Sequence, residues 1–252
     1  MGRYFGGIIR NSTDSLPDTN AKIEIKDGTA DLSMIKWITS PYDEYALEIA
    51  LQHKEAVGGN VTALTLGPNR CDKILKDAKA LGVDGIARID VPEGYLDSFS
   101  VQSMLAEACR SLGAEIIYCG KAAADTNAGS TGPGVAEKLG WPSISNVTNV
   151  DFGESSLELM QPSLGGQAKM GVNLPVVVTC DKGMGEPRRA NVKGIMMAKR
   201  ATVDLISVAD VEGNTSIVGQ ASPPAKPPGK SYEGSEHVTT VVKLLRDEAN
   251  VI

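Results

Sequence analysis

The chain has 252 residues, enough for one large α/β domain or a domain with arms. Hydrophobic residues make up 42% of it and aromatics 4%, so the core must be built from Ala, Val, Ile and Leu, which suits a parallel sheet covered by helices. A net charge of −6 disfavours attraction to nucleic acid or anionic lipid, two histidines leave a His-based metal site or a Ser-His-Asp triad short of parts, and no apolar run reaches the length of a membrane span.

The opening stretch, "MGRYFGGIIRNSTD", is too broken by glycine for a signal peptide and lacks the hydroxyl residue of a myristoylation site. Tyr4 to Ile9 reads as a short buried strand, and "KIEIKDGTADLS" as a small hairpin turning at Asp27-Gly28. "SPYDEYALEIALQHKEAVGG" is a strong helix: Pro41 sits at its entry, Asp43 and Glu44 favour the dipole's positive end, Ala46, Ile49, Ala50 and His53 share a face, and Gly58-Gly59 stop it. "VTALTLG", "GIARID" and "IIYCG" read as strands. They are separated by helices over "NRCDKILKDAKALGVD" and "SFSVQSMLAEACRSLGAE", and a further helix covers "GPGVAEKLG". Strand and helix alternate throughout, the signature of a Rossmann-like parallel sheet with right-handed crossovers and helices on its flanks. Beyond Trp141, "SISNVTNVDF", "SLELMQPSL" and "QAKMGVNL" read as an antiparallel excursion, and "PVVVTC", apolar on both faces, as a return to the main sheet.

The domain is expected to end near residue 211. From Glu212 the chain loosens into an extended C-terminal arm, with four prolines between Pro223 and Pro228, and then a helix over "SEHVTTVVKLLRDEA" that needs a holder, this domain's own surface or a partner subunit. Cys71, Cys109, Cys119 and Cys180 form no CxxC pair and read as buried, reduced thiols in an intracellular protein, with the cytoplasm the simplest location. Trp37 and Trp141 read as packing residues, and His53 and His237 as surface or partner contacts.

Two stretches stand out chemically. "GKAAADTNAGSTGPG", Gly120 to Gly134, follows a strand end, where open α/β sheets bind ligands. Ala122, Ala123, Ala124, Ala128 and Gly129 leave room for close approach, while Asn127, Ser130 and Thr131 supply donors. Gly132 and Gly134 lie in the first turn of the next helix, where free N–H groups attract phosphate. The pattern is neither GxGxxG nor a Walker loop, so a nucleotide monophosphate site and a plain flexible loop both remain open. The second stretch, "CDKGMGEPRRANVKGIMMAKR", opens a basic helix. Met184, Ile195, Met196 and Met197 beside Lys193, Lys199 and Arg200 read as an adaptable docking surface or as methionines filling the core.

Six segments, in order, are together similar to the β (small) subunit of electron transfer flavoprotein: "SPYDEYALEIAL", "LTLGP", "GKAAADTNAGSTG", "LGWP", "EPRRANVKGIMMAKR" and "PPAKPPGK". The resemblance spans nearly the whole chain. It implies an α/β nucleotide-binding domain over 1–211 and an arm and helix over 212–252 that contact the family's α subunit in a heterodimer. It also implies AMP held structurally in this chain, and FAD held mainly by the α subunit. Residue by residue, the implied cofactor site is Gly7, Ser40, Pro41, Tyr42, Asp43, Leu66, Gly120, Lys121, Ala122, Ala123, Ala124, Asp125, Thr126, Asn127, Ala128, Gly129, Ser130 and Thr131. Tyr42 matches the aromatic that approaches the flavin, and Asp125 an acid of the nucleotide loop; the bland alternatives are packing for Tyr42 and loop capping for Asp125. The recognition loop, 183–200, would dock acyl-CoA-type dehydrogenases through Val192, Ile195, Met196 and Lys199, with Glu186 and Arg188 bracing the loop or a subunit contact.

The chain departs from the family at Gln161, Pro162 and Leu164, where an Arg and acids are usual, at Arg189 for Tyr, at Ala122 for Gln and at Val192 for Leu. These departures point to an altered dehydrogenase specificity, and they put a gating salt bridge from the 161–164 loop in doubt. The function implied is electron transfer from such dehydrogenases through FAD to a quinone reductase or another acceptor, by a carrier rather than an acid–base enzyme. Two alternatives stand beside it. One is a bifurcating flavoprotein with a second FAD in the AMP position and NADH as donor; the other is a homodimeric nucleotide-sensing module on the same fold.

Overall fold

The computed structural model describes residues 4–8, 16–17, 23–123, 126–183, 185–225 and 228–252. Chain order begins with β1 (Tyr4–Ile8), then the short strands β2 (Leu16–Pro17), β3 (Glu24–Lys26), β4 (Thr29–Asp31) and β5 (Trp37–Ile38). β3 and β4 form the hairpin expected at Asp27-Gly28, where both residues take positive φ. Four helices then alternate with three strands: α1 (Pro41–Val57), β6 (Asn60–Gly67), α2 (Asp72–Leu81), β7 (Gly85–Asp90), α3 (Ser98–Ser111), β8 (Ile116–Gly120) and α4 (Thr131–Leu139). β9 (Ser143–Val147) precedes the excursion β10 (Asn149–Phe152), β11 (Ser156–Ser163) and β12 (Gly166–Asn173). The chain returns through β13 (Val176–Cys180), α5 (Val192–Lys199) and β14 (Asp204–Ile206), and ends in α6 (Val238–Asp247).

The main sheet has seven strands in the order β14-β7-β6-β1-β8-β13-β9, all parallel. From β1 the chain steps outward through β6 to β7, then crosses back to place β8 on the other side of β1. That reversal opens a crevice at the carboxyl ends of β1 and β8. Gly7 lies there, paired with Ala63 on one side and Tyr118 on the other. The central strands are mostly aliphatic because both faces are covered, with Thr62, Thr65 and Thr179 their buried hydroxyls. Val61, Ala63, Ile116, Tyr118, Val176 and Val178 pack under α1 and α2, while Leu64, Leu66, Ile117, Cys119 and Val177 pack under α3 and α4. All four cysteines are buried and unbridged, and burial pushes the Cys109 thiol up to about 12.

Two sequence expectations are corrected. "SISNVTNVDF" is not one strand. Asn146 takes a left-handed conformation (φ 56°), and Ser143–Val147 pairs in parallel with β13 as the edge of the main sheet. The antiparallel sheet then starts afresh at Asn149, with Thr148 N–H donating to the Met160 carbonyl. His53, expected at the surface, is fully buried: its Nδ1 lies 2.7 Å from the Tyr118 hydroxyl and its ring stacks on Phe152 at 4.8 Å. It pins the antiparallel sheet to α1. Trp37 and Trp141 are partly buried, Trp37 beneath the Arg70 guanidinium at 4.0 Å.

Among the described residues the arm is exposed from Glu212 onward save for half-buried Val241 and Leu244, and α6 fully buries no residue. Its first part is nonetheless fixed. Asp97, which caps α3, also accepts from the N–H groups of Asn214 and Thr215, and Gln220 bonds the β3–β4 hairpin through Gly28 and Ala30.

Candidate functional site

The crevice rim is built from the entry to α1, the end of β8 and the loop into α4. Ser40 has extended backbone (ψ 133°), and its carbonyl accepts the N–H groups of Asp43 and Glu44 to start the helix. Pro41, at the first helical turn, loses nothing by lacking an N–H. Asp43 is 2% exposed, and its Oδ1 accepts the N–H of Gly120 at 2.8 Å, tying α1 to β8. Gly120 is glycine for a steric reason: a Cβ there would lie 2.8 Å from both Asp43 Oδ1 and Tyr42 Cβ.

Lys121 crosses this joint. Its N–H donates to the Cys180 carbonyl, its Nζ pairs with Asp181 at 2.8 Å, and the same ammonium sits 4.8 Å from the centre of the Tyr42 ring. The hydrogen bond to Asp181 raises the Lys121 pKa, so the charge is held on the rim. Tyr42 is therefore half-buried beside a fixed cation.

The loop beyond divides into two kinds of residue. Ala122 and Ala123 are buried, so their methyl groups face protein. Thr126, Asn127 and Ala128 are exposed. The turn is made by Asn127 and Gly129, at φ 49° and 63°, with Asn127 N–H donating to the Ala123 carbonyl. Ala124 and Asp125 lie outside the described residues, as does Met184. Leu66 is fully buried in the core under α3 and α4, so its side chain is a core residue. Gly132 and Gly134 are also small for packing: a Cβ on them would meet Thr179 and the Gln102 side chain. Gln102 in turn donates to the Ser130 carbonyl at 3.0 Å.

Among the described residues, two buried hydroxyls on this rim make no hydrogen bond to protein. Ser40 Oγ and Thr131 Oγ1 belong to residues 6% and 5% exposed, and neither has a partner. A buried hydroxyl without a partner carries a desolvation cost of about 1–3 kcal/mol. Thr131 opens α4, where N–H groups of the first turn lack intrahelical partners and the dipole is positive. An anionic ligand with several oxygens satisfies both needs, so the residues present suit the phosphate end of a nucleotide.

A second surface lies along α5. Asn191 caps it by accepting the Gly194 N–H, and Ala198 is its one buried residue. Val192 is 76% exposed and Met196 and Met197 about as open, which places the methionines on the surface and not in the core. Ile195 and Lys199 share that face of exposed residues. Gly194 lets α5 approach α2: a Cβ there would be 2.3 Å from the Ala80 carbonyl. Beside it opens a cleft of about 750 Å³ lined by Trp37, Tyr45, Leu81, Pro187, Arg189 and Ile195. Partial desolvation raises the Glu44 and Asp77 carboxyls on its wall.

A seven-stranded parallel sheet, wound from a central β1 and carrying its small-residue rim at the switch between β1 and β8, defines a Rossmann-like α/β protein. The chain belongs to the electron transfer flavoprotein family. The profile described as "Electron transfer flavoprotein domain" matches residues 32–211. The β subunit of electron transfer flavoprotein from Bacillus subtilis (strain 168) is 32% identical over 93% of this chain and 96% of its own length. That of Syntrophomonas wolfei is 33% identical over 93% and 94%. The electron transfer subunit gamma of acryloyl-CoA reductase from Anaerotignum propionicum is 28% identical over 88% and 90%. The chain thus falls with the β subunits, and its role is in electron transfer. Among the described residues, no helix is long and apolar enough to cross a membrane.

Proposed function

We propose that this chain is the nucleotide-holding and partner-docking half of a heterodimeric electron carrier. With an α subunit it would accept electrons from acyl-CoA-type dehydrogenases and deliver them to a quinone reductase or another acceptor. FAD, held mainly by the α subunit, supplies the redox chemistry when bound. This chain's residues bind, orient and shield. Ser40, Gly120 to Thr131 and the α4 terminus would hold the phosphate of AMP, and Tyr42 with Lys121 would present an aromatic edge and a positive charge toward the flavin side. Val192, Ile195, Met196 and Lys199 of the 183–200 loop would dock the dehydrogenase, and residues 212–252 would embrace the α subunit. The relative named as an acryloyl-CoA reductase subunit supports a partner acting on CoA thioesters.

The observation that carries the reading is the pair of buried, unpartnered hydroxyls, Ser40 Oγ and Thr131 Oγ1, on the switch-point rim. Native mass spectrometry of the intact complex with its α subunit tests it. One AMP and one FAD per heterodimer are expected. Two FAD and no AMP would replace the AMP assignment by the bifurcating arrangement. A nucleotide-free homodimer would overturn the reading.

A further inference from the structure

The docking helix α5 leaves the core through an eleven-residue run without regular structure, from Asp181 to Asn191, in which Met184 lies outside the described residues. Such a run costs ordering free energy, and an unbraced loop would present Val192 and Ile195 in many orientations. One residue in it is held far more firmly than its neighbours. Arg188 donates its backbone N–H and its Nε to Glu48 Oε2, at 3.0 and 2.8 Å, and its Nη2 to Glu48 Oε1 at 3.0 Å. It also reaches Glu55 with Nη1 and Nη2, at 2.6 and 3.2 Å. Glu48 and Glu55 lie two turns apart on one face of α1. The Glu48 side chain is 8% exposed and the Arg188 side chain 30%, so this bidentate pair is half-buried with its carboxylate inside, whereas Glu55, 61% exposed, closes the clamp from the solvent side. Burial pushes the Glu48 carboxyl up, and the bonds from Arg188 and Gln52 overcome that and leave it below its ordinary value. Arg189, next along, makes no such contact and lines the cleft.

We propose that Arg188 is the positioning residue of the docking face: by clamping the loop to Glu48 and Glu55 of α1, it fixes where α5 presents Val192 and Ile195 to the dehydrogenase. The clamp is a planar fork spanning two carboxylates, a geometry a lysine cannot reproduce. α1 is also the helix whose entry forms the proposed nucleotide rim, so the docking loop is referenced to a helix seated in the core through Ala46, Leu47, Ile49, Ala50 and Leu51. This inference rests on α5 being the docking face.

The test uses the intact flavin-loaded complex and a purified acyl-CoA dehydrogenase, with the carrier as varied substrate. Arg188→Met is expected to raise KM for the carrier about tenfold while kcat and cofactor content stay near wild type, the pattern of lost ground-state binding. Arg188→Lys should fall between the two, and hydrogen exchange over 185–195 should rise in Arg188→Met. Because Arg188→Met strands the Glu48 carboxylate, the double variant Glu48→Met/Arg188→Met is made as well. It removes the buried charge, restores stability and should keep the raised KM. Either variant folding well with an unchanged KM, or losing kcat and flavin together, overturns the proposal. Val192→Asp, run alongside, separates the two readings. If it impairs docking while the Arg188 variants do not, the clamp is wrong and the docking face stands. If none of the variants affects docking, the docking face fails and the clamp with it.

Discussion

Gly120 shows how narrowly the rim is specified at the level of a single residue. Its N–H is spent on Asp43, and a Cβ would press on both Asp43 and Tyr42. Gly120→Ala is expected to destabilise the chain by about 1–3 kcal/mol through that overlap. It should also lower the AMP retained by the purified complex, because the α1 entry moves away from the β8 end. Thermal melts and nucleotide content by chromatography check both, and retention of AMP at wild-type level would separate the rim from the nucleotide. The sequence singled this segment out for its small residues, and the structure gives several of them a packing reason. Gly132 and Gly134 read from sequence as first-turn positions offering N–H groups to phosphate, yet at both, as at Gly120, a Cβ would meet protein atoms, and the Gly134 N–H already donates to the Ser130 carbonyl. Sequence distinguishes a need for smallness from its absence and does not say which neighbour imposes it. Arg188 was equally half-legible: its charge suggested a brace, whereas its partners, 133 and 140 residues earlier, were beyond any local pattern.

At the scale of elements, long periodic segments were readable and short ones were not. α1, α2, α3 and the strands between them follow from periodicity and glycine stops. β14 has three residues, two of them exposed, so nothing marks it locally; it exists because it completes the edge beside β7. β9 was merged with β10 because Asn146 hides a break that only its positive φ reveals. Asp97 joins two elements that sequence keeps far apart, the α3 cap and the start of the arm. Hydrogen bonds from Ser100, first its N–H, and then from Asn214 and Thr215 hold its carboxyl at about 2. That lies below the value of about 3.9 expected of the unfolded chain. The contribution is therefore complete above about pH 4 and is lost as pH falls from about 4 toward 2. Limited proteolysis of the 212–220 segment should accelerate across that window. Asp97→Asn should make cleavage fast already at neutral pH and flatten the dependence; an unchanged profile would mean the arm is held elsewhere.

For the whole molecule, the open question is what holds the last thirty residues. Beyond Gln220 none of the described residues is fully buried, and α6 aligns Val238, Val242 and Leu245, all exposed, along one stripe. A ten-residue helix that fully buries no side chain is marginal in water, because nucleation is costly and its exposed apolar stripe gains little. From sequence α6 is expected to need a holder, and the domain's own surface, one of the two considered, fully buries none of its residues. The other holder considered is a partner, and the function proposed above makes it the α subunit. Truncation after Gln220 should leave the melting temperature of the isolated chain within about 2 °C of full length, since no core contact is lost. It should weaken association with the α subunit by at least about a hundredfold, given roughly 1.5 kcal/mol or more for each large apolar side chain withdrawn from a contact. Calorimetric titration of the truncated and full-length chains with α subunit measures this directly. Equal affinities would place the subunit contact on the domain itself and leave the arm to some other partner.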